Sequence, residues 1–416
     1  MTFIKRLWNK LTQNKALECS SGNLETRFFE TIYRIVYVTG LSTVENSVGY
    51  FIYSSIIKLF IMLIIFGEIW YMFNITWSVD VATDSINATF IQFSSLFKYR
   101  NMIKYRKTFR TLASAMESPS FDISNEARRK IVDVWVKRNR TYLMILLRLG
   151  TCTLIAWYGY PFMDDIDYNL MVPVHLPFDY TDPSTYSIVY TTVVVMFTYV
   201  SYFVMVYDIL IQVYLMQLLC QFAVLQDCFT NILSDCAEDF KGVPETQLLR
   251  NNRFQNKINK RLRDLINQHR FILNNTLDVR EILSGPMLGH LATSTVLICA
   301  IGYQIVMYVS INLTKSLMAF FYLGYNMVVL YILCRWCEEI SIQSEGIGFT
   351  VYCSGWERGL ASIPGVRSTL LLVFTRANKP LVLTAGGMYD LSLASYANLV
   401  KTSYSALTML LRFRRE

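Results

Sequence analysis

The stretch YSIVYTTVVVMFTYVSYFVMVY, residues 186–207, runs for 22 residues without a charge. As a helix it would extend about 33 Å, enough to cross a hydrocarbon core of about 30 Å. Its apolar pattern continues past Asp208 to about Phe222, so this helix is expected to project from the bilayer into the aqueous layer. Working outward in both directions, the same signal recurs. A first span is expected over Val48–Phe73, with Lys58 and Glu68 flanking its most apolar part. A second, over Val81–Phe97, is rich in Phe but contains Asp84 and many Ser, Thr and Asn, which suits contact with other helices better than lipid. Tyr142–Met163, interrupted by Arg148, is the third.

Residues Ile282–Thr314 carry no Asp, Glu, Lys or Arg. That is too long for one ordinary span, and Gly285-Pro286 near its start is expected to confine the fifth helix to about Met287–Ser310. A short hinge at Asn312–Lys315 leads into the sixth, Leu317–Cys334. The seventh is expected after Pro380, running to about Phe413. These spans predict an all-α membrane protein of seven transmembrane helices with the last one split. The expected organisation is a cytosolic segment 1–47, helices one to four over 48–214 and a cytosolic helical anchor over 215–285. Helices five and six follow over 286–336, then a cytosolic helical region 337–380 and the last span with a short external tail over 381–416, the regions that the resemblance given below makes an anchor and a pore-lining helix.

Composition agrees with the span count. Of 416 residues 53% are hydrophobic and 17% charged, where a soluble protein has roughly 25% charged. The surplus of +8 could suggest nucleic acid as a partner, but in a membrane protein such a surplus belongs in cytosolic loops. Nine Cys are scattered, and the one close pair, Cys334 and Cys337, has no second cluster to complete a zinc site, so they read as buried thiols. Three His and no nucleophile–base arrangement leave neither metal nor catalytic chemistry to assign. Residues 1–50 lack a signal-peptide pattern, and the first span is expected to act as its own insertion signal.

Loop charges orient the chain. Residues 1–50 hold six basic residues, the link 98–141 holds twelve and residues 215–285 hold nine, whereas 161–185 has five Asp and neither Lys nor Arg. An odd number of crossings then puts the N-terminus in the cytosol and the C-terminus outside, opposite to receptors that couple to G proteins. Sequons at Asn74, Asn87 and Asn312 fall at external links and are glycosylation candidates; those at Asn139 and Asn274 fall on the cytosolic side. Between spans four and five, Leu218, Leu219, Phe222, Leu225 and Phe229, and then Leu262, Leu265, Ile266 and Ile272, recur at helical spacing, with a break over Asp239–Pro244. These apolar faces must pack either within one subunit or between subunits.

The last span is hydroxyl-rich, with Ser395, Asn398, Thr402, Ser403, Tyr404, Ser405 and Thr408. One face could meet water as in a channel, or the hydroxyls could bond back to the backbone of a buried helix. Asp390 and Lys401 are costly in hydrocarbon unless they meet water or a partner; with Tyr404 they are candidates for a pore lining or interface. Leu407 and Leu411, four apart, share a face and could close a symmetric pore by dewetting.

The sequence Lys379-Pro-Leu-Val-Leu-Thr-Ala-Gly-Gly-Met388, followed by Leu391-Ser-Leu393 and Leu399-Val-Lys-Thr-Ser-Tyr-Ser405, resembles the end of insect odorant receptors. Val172-Pro173 and Leu176-Pro177-Phe178-Asp179, with His269, are similar to other parts of that family. The resemblance implies a heterotetrameric non-selective cation channel, passing monovalent and divalent cations, opened directly by a small volatile molecule. It implies a shared co-receptor as partner, and a place in the plasma membrane of olfactory sensory neurons. The chain lacks the co-receptor's long cytosolic insertion, so the resemblance implies the odorant-tuning subunit. It also implies that Leu218–Phe229, Leu262–Ile272 and Trp356–Phe374 serve assembly, and that Leu407 and Leu411 form the gate. The ligand would lie among helices two, three, four and six, where Phe90, Phe93, Trp157, Tyr190, Phe197, Tyr322 and Tyr325 are candidates. A gustatory-receptor-like channel is the alternative; its usual ending differs from Arg412-Phe413 here. A G-protein-coupled receptor would need the opposite orientation, and a transporter would need internal repeats.

Overall fold

A computed structural model of the chain describes residues 2–74, 79–163, 168–172, 178–240, 242–379 and 381–413. Three short helices, α1 (Thr2–Leu11), α2 (Lys15–Glu18) and α3 (Asn23–Val38), precede the first span, α4 (Val48–Asn74). The second is α5 (Val79–Lys104), followed by α6 (Arg106–Ala113); the third is α7 (Glu126–Gly159) and the fourth α8 (Pro183–Thr230). Two short helices, α9 (Ile232–Ala237) and α10 (Glu245–Leu248), lead to the fifth span, α11 (Asn252–Tyr308), and the sixth, α12 (Leu313–Tyr352). The chain ends with α13 (Val366–Ala377), a hairpin of β1 (Thr384–Ala385) and β2 (Tyr389–Asp390), and α14 (Leu393–Phe413). Helix starts follow the capping residues: Asn125, Asp182, Asn251 and Asn312 each accept a hydrogen bond from an amide in the first turn of α7, α8, α11 and α12.

Among the described residues five helices, α4, α7, α8, α11 and α12, are long and apolar enough to cross a membrane. The remaining two spans of the seven, α5 and α14, are those whose sequence is too polar to face lipid all round. Helix α8 is the centre of the bundle; from Phe203 to Phe229 nearly every side chain is buried. Some polar groups carried into the bundle meet a partner on a neighbouring helix. Glu68 on α4 accepts a 2.8 Å bond from Gln92 on α5, and Lys58 lies over the ring of Tyr99. Cys334 and Cys337 are buried free thiols.

The cytosolic half carries the two apolar stripes into the core. Leu218, Leu219, Phe222, Leu225 and Phe229 of α8, and Leu262, Leu265 and Ile272 of α11, are buried inside this single chain. Their two amphipathic faces pack in one continuous core with α7 and α12, with Ile266 half-buried at its edge. The break between the helices is where the sequence puts it, with Gly242 at φ +94°. Behind it Arg128 is fully buried and donates to Asp122 at 2.7 Å, Asp227 at 3.0 Å and Asp235, while Arg261 bonds Asp122 and Asp235. Burial opposes the Asp122 carboxylate, but bonds from Ser124 and the Arg261 charge prevail and hold its pKa down at about 2.

The terminal span starts later than expected. Residues 384–390 form the small antiparallel hairpin, with Ala385 opposite Tyr389, because Gly386 and Gly387 both take positive φ. Helix α14 therefore begins at Leu393, and Asp390 is an exposed strand residue outside the pore-lining helix to which the sequence assigned it. The hairpin is held against α11 by the Gly386 amide donating to the Ser284 carbonyl at 2.8 Å. A side chain at Gly386 would collide with Leu288.

The largest departure from expectation is α11, a single helix of 57 residues that passes through Pro286 instead of starting after it. Proline has no amide hydrogen, so the carbonyl four residues earlier, that of Ile282, loses its helical partner. The Asn101 side chain of α5 supplies one, donating to that carbonyl at 3.0 Å. The compensation comes from a neighbouring helix, which local sequence does not reveal. Replacing Asn101 with Ala should lower stability by about 1–3 kcal/mol. The loss should shrink in the double variant N101A/P286A, where an alanine in place of the proline restores the missing amide. Apparent melting of the four proteins in nanodiscs measures that cycle, and equal losses would contradict the assignment. In the same assay Arg128→Met, which takes the charge from Asp227 and leaves Arg261 alone to face Asp122 and Asp235, should cost about 3–5 kcal/mol.

Candidate functional site

Three helices bring one aromatic group each to a common point in the outer half of the bundle. Trp157 of α7 stacks on Phe197 of α8, with centroids 5.1 Å apart and planes at 27°, and meets Tyr322 of α12 edge-on at 6.0 Å. All three are half-buried. One turn along α12, Tyr325 lies beside Gly150 of α7. A Cβ at Gly150 would fall 2.3 Å from the Met205 sulfur and 3.4 Å from the Tyr325 ring, so the missing side chain is what lets α7, α8 and α12 close up here.

Hydroxyls are set beside this apolar surface. Thr198 donates to the Val194 carbonyl at 2.7 Å, which leaves its oxygen to accept from Tyr158 at 2.7 Å. Thr151 donates to Leu147 in the same manner and faces the Tyr202 hydroxyl at 3.4 Å. The result is an aromatic cluster edged by a few fixed polar groups, the composition that small apolar ligands use.

The sequence candidates divide accordingly. Trp157, Phe197 and Tyr322 come together, with Tyr325 one turn away. Tyr190 sits about 10 Å further out along α8, in a cluster with Leu170, Met171 and Val172 against which Trp157 and Phe197 also pack, and donates to the Tyr158 carbonyl at 2.6 Å. Phe93 is 74% exposed on α5 and points away from the cluster. Phe90, Asn74 and Asn87 lie outside the described side chains. Asn312 caps α12, its carbonyl oxygen accepting from Lys315. Asn139 is buried, its side-chain amide donating to the Phe28 carbonyl. Sequence reasoning missed Tyr158, Met205 and Gly150, although a glycine inside a membrane helix is a usable sign of close packing.

A second group lies at the cytosolic ends of three spans. Lys98 of α5, buried, donates to Asp208 of α8 at 2.7 Å and to His290 Nδ1 of α11 at 3.1 Å. Accepting there requires His290 to carry its proton on Nε2. The sequence signal is Asp208 interrupting an apolar run; its partners are 110 and 82 positions away.

Helix α14 has two unlike faces. Tyr396, Leu399, Ser403, Leu407 and Leu410 turn inward, and Tyr396 meets Tyr331 of α12. Leu407 lies over Gly302 of α11, where a Cβ would approach its Cδ2 to 2.8 Å. Ala394, Asn398, Lys401, Thr402, Tyr404, Ser405 and Met409 form the open face, with Leu411 at its edge. Thr402 and Ser405 bond to the carbonyls four residues back, yet both residues remain exposed. Glu338 of α12 accepts from the Leu393 amide at 3.1 Å and fixes the start of the helix.

The sequence profile of the family described as "7tm Odorant receptor" matches residues 78–404. Among curated proteins, the chain is 26% identical over 142 residues to Putative odorant receptor 85d of Drosophila melanogaster and 24% identical over 151 residues to Odorant receptor Or2 of Anopheles gambiae. Those matches cover 34% and 36% of this chain and only 33% and 39% of the relatives. The fold is similar to that of the insect olfactory receptor OR5 from Machilis hrabei in complex with eugenol, with a TM-score of 0.77 at 16% identity over 94% of this chain and 100% of that one. OR5 without that ligand gives 0.74 over 93% and 98%. A profile match spanning most of the chain settles the matter: this seven-helix, multi-pass membrane protein is a member of the insect odorant receptor family and not an enzyme.

Proposed function

We propose that the chain is the odorant-tuning subunit of a ligand-gated, non-selective cation channel, assembled with a shared co-receptor in the plasma membrane of olfactory sensory neurons. The observation that carries this reading is the open face of α14. Asn398, Lys401, Thr402 and Ser405 would be costly against hydrocarbon, so in the membrane they require water or another subunit. For assembly, the third of the stretches that the resemblance implies, Trp356–Phe374, keeps large apolar residues in the open, among them Leu371 and Leu372 of α13. Ile342, Phe349 and Tyr352 of α12 are exposed as well, on the cytosolic part of the chain where no lipid covers them.

The volatile ligand binds at the Trp157–Phe197–Tyr322 cluster, gaining affinity mainly from apolar burial. A contiguous path leads from there to α14. Tyr322 packs against Leu297, Ile301 and Ala319, and Gly302, next after Ile301, carries Leu407. Opening is a population shift in which ligand-driven movement of α11 and α12 turns α14 and changes how far Leu407 and Leu411 project into the conduction route.

Current recordings from cells expressing the chain with and without a co-receptor, against an odorant panel, test the function. Odorant-evoked cation current is expected with the co-receptor, and its absence at normal surface expression would refute the proposal. Trp157→Ala and Tyr322→Ala should each raise the half-activating concentration by roughly tenfold or more, at about 1.4 kcal/mol of lost contact per decade. Leu407→Gln with Leu411→Gln should raise ligand-independent current. Gly302→Ala, by pushing Leu407 off α11 toward the route, should lower it. Unchanged resting conductance in both would remove the gate from this pair.

A further inference from the structure

Helix α1, TFIKRLWNKL, is basic, and the described part of its apolar side stands open. Leu7, Trp8 and Leu11 are 48%, 46% and 67% exposed. In the sequence Phe3, Ile4, Leu7, Trp8 and Leu11 recur at helical spacing, with Lys5, Arg6, Asn9 and Lys10 in the alternate positions and no acidic residue. The other side of the helix is tied to protein. Arg34 of α3 donates to the Asn9 carbonyl at 3.0 Å and to the Thr12 hydroxyl at 2.8 Å, which keeps α1 from turning its apolar side inward.

Its position is equally defined. Immediately after α1, Gln13, Asn14 and Lys15 share a groove with Glu45, Asn46 and Ser47, and the Lys15 amide donates to Glu45 at 2.5 Å. The next residue after that groove is Val48, where the first span begins, and Val48, Phe51 and Ile52 there are exposed as lipid-facing residues are. The end of α1 is thus pinned at the cytosolic boundary of the bilayer.

We infer that α1 is a membrane-surface helix that binds the anionic phospholipid of the cytosolic leaflet, with Leu7, Trp8 and Leu11 seated at the headgroup boundary. Three observations converge on lipid as the occupant. The charge is wholly positive, complementary to a leaflet rich in acidic headgroups. A tryptophan stands on the apolar side, where interfacial helices place one. The tether to the first span holds the helix at the surface, so weak intrinsic affinity suffices.

The test uses the full-length protein in nanodiscs of phosphatidylcholine alone or with phosphatidylserine, with the exposed Cys19, Cys152 and Cys353 replaced by Ser. An NBD label is placed on Leu11→Cys or, as control, on Asn9→Cys. With phosphatidylserine, the label at 11 should be quenched by shallow doxyl-lipid and shielded from iodide, while the label at 9 stays open to iodide. Changing Lys5, Arg6 and Lys10 to Gln should lower the ratio of bound to lifted helix by roughly fivefold per charge. Iodide access at position 11 in both discs would overturn the inference, since the face would stand in water. Shielding without doxyl quenching would also overturn it, because protein, either this chain or another copy, would then cover the face. Binding indifferent to phosphatidylserine and to the three substitutions would remove the acidic headgroup as the ligand.

Discussion

The carbonyl of Ile282 is a small group on which much of the molecule depends. Inside a membrane protein no water waits to satisfy a freed backbone acceptor, so a proline in mid-helix either breaks the rod or must be answered by a side chain. Asn101 answers it, and α11 continues as one helix from the cytosolic core to the outer surface. Because it is continuous, the same helix packs against the Arg128 cluster through Arg261 at one end, holds the β-hairpin through Ser284 and Leu288, and carries Ile301 and Gly302 between the aromatic cluster and α14 at the other. A true break at Pro286 would leave these three attachments on independent bodies.

The spans and their polarity are legible in the sequence because the bilayer imposes length and hydropathy directly. Val48 reads as the start of α4, and the Gly386-Gly387 pair as a separator, for local reasons of that kind. What is illegible depends on partners distant in the chain. Pro286 reads as a stop until Asn101 is placed beside it. The apolar stripes of Leu218–Phe229 and Leu262–Ile272 read equally well as a subunit interface or as core; their near-complete burial makes them core. Asp390 reads as part of the last span because a run of apolar residues precedes it, whereas two positive-φ glycines turn that run into a hairpin.

The aromatic candidates show the same division. Periodicity places an aromatic on a helix but does not say which neighbour it meets. Trp157, Phe197, Tyr322 and Phe93 all lie on helices where a ligand could reach them, and only packing separates them: the first three converge and Phe93 faces outward. Gly150 is the better clue to where α7, α8 and α12 come close, since a residue without a side chain in a membrane helix marks where backbones or large neighbours must approach.

Two glycines thereby mark the two ends of the proposed signal. At Gly150 the Met205 and Tyr325 side chains fill the place of a missing Cβ beside the aromatic cluster, and at Gly302 Leu407 does so beside the open face of α14. Close-packed contacts of this type transmit displacement because neither partner has free volume to absorb it. Contiguity alone does not make a pathway, but it limits the possibilities: a shift of Tyr322 has Leu297 and Ile301 directly in its way, and the α11 backbone at Gly302 is the surface on which Leu407 rests. The polar node of Lys98, Asp208 and His290 joins the C-terminal part of α5 to the middle stretches of α8 and α11. Removing either partner of the buried Lys98–Asp208 pair would strand the other's charge, so the node ties these three helices together.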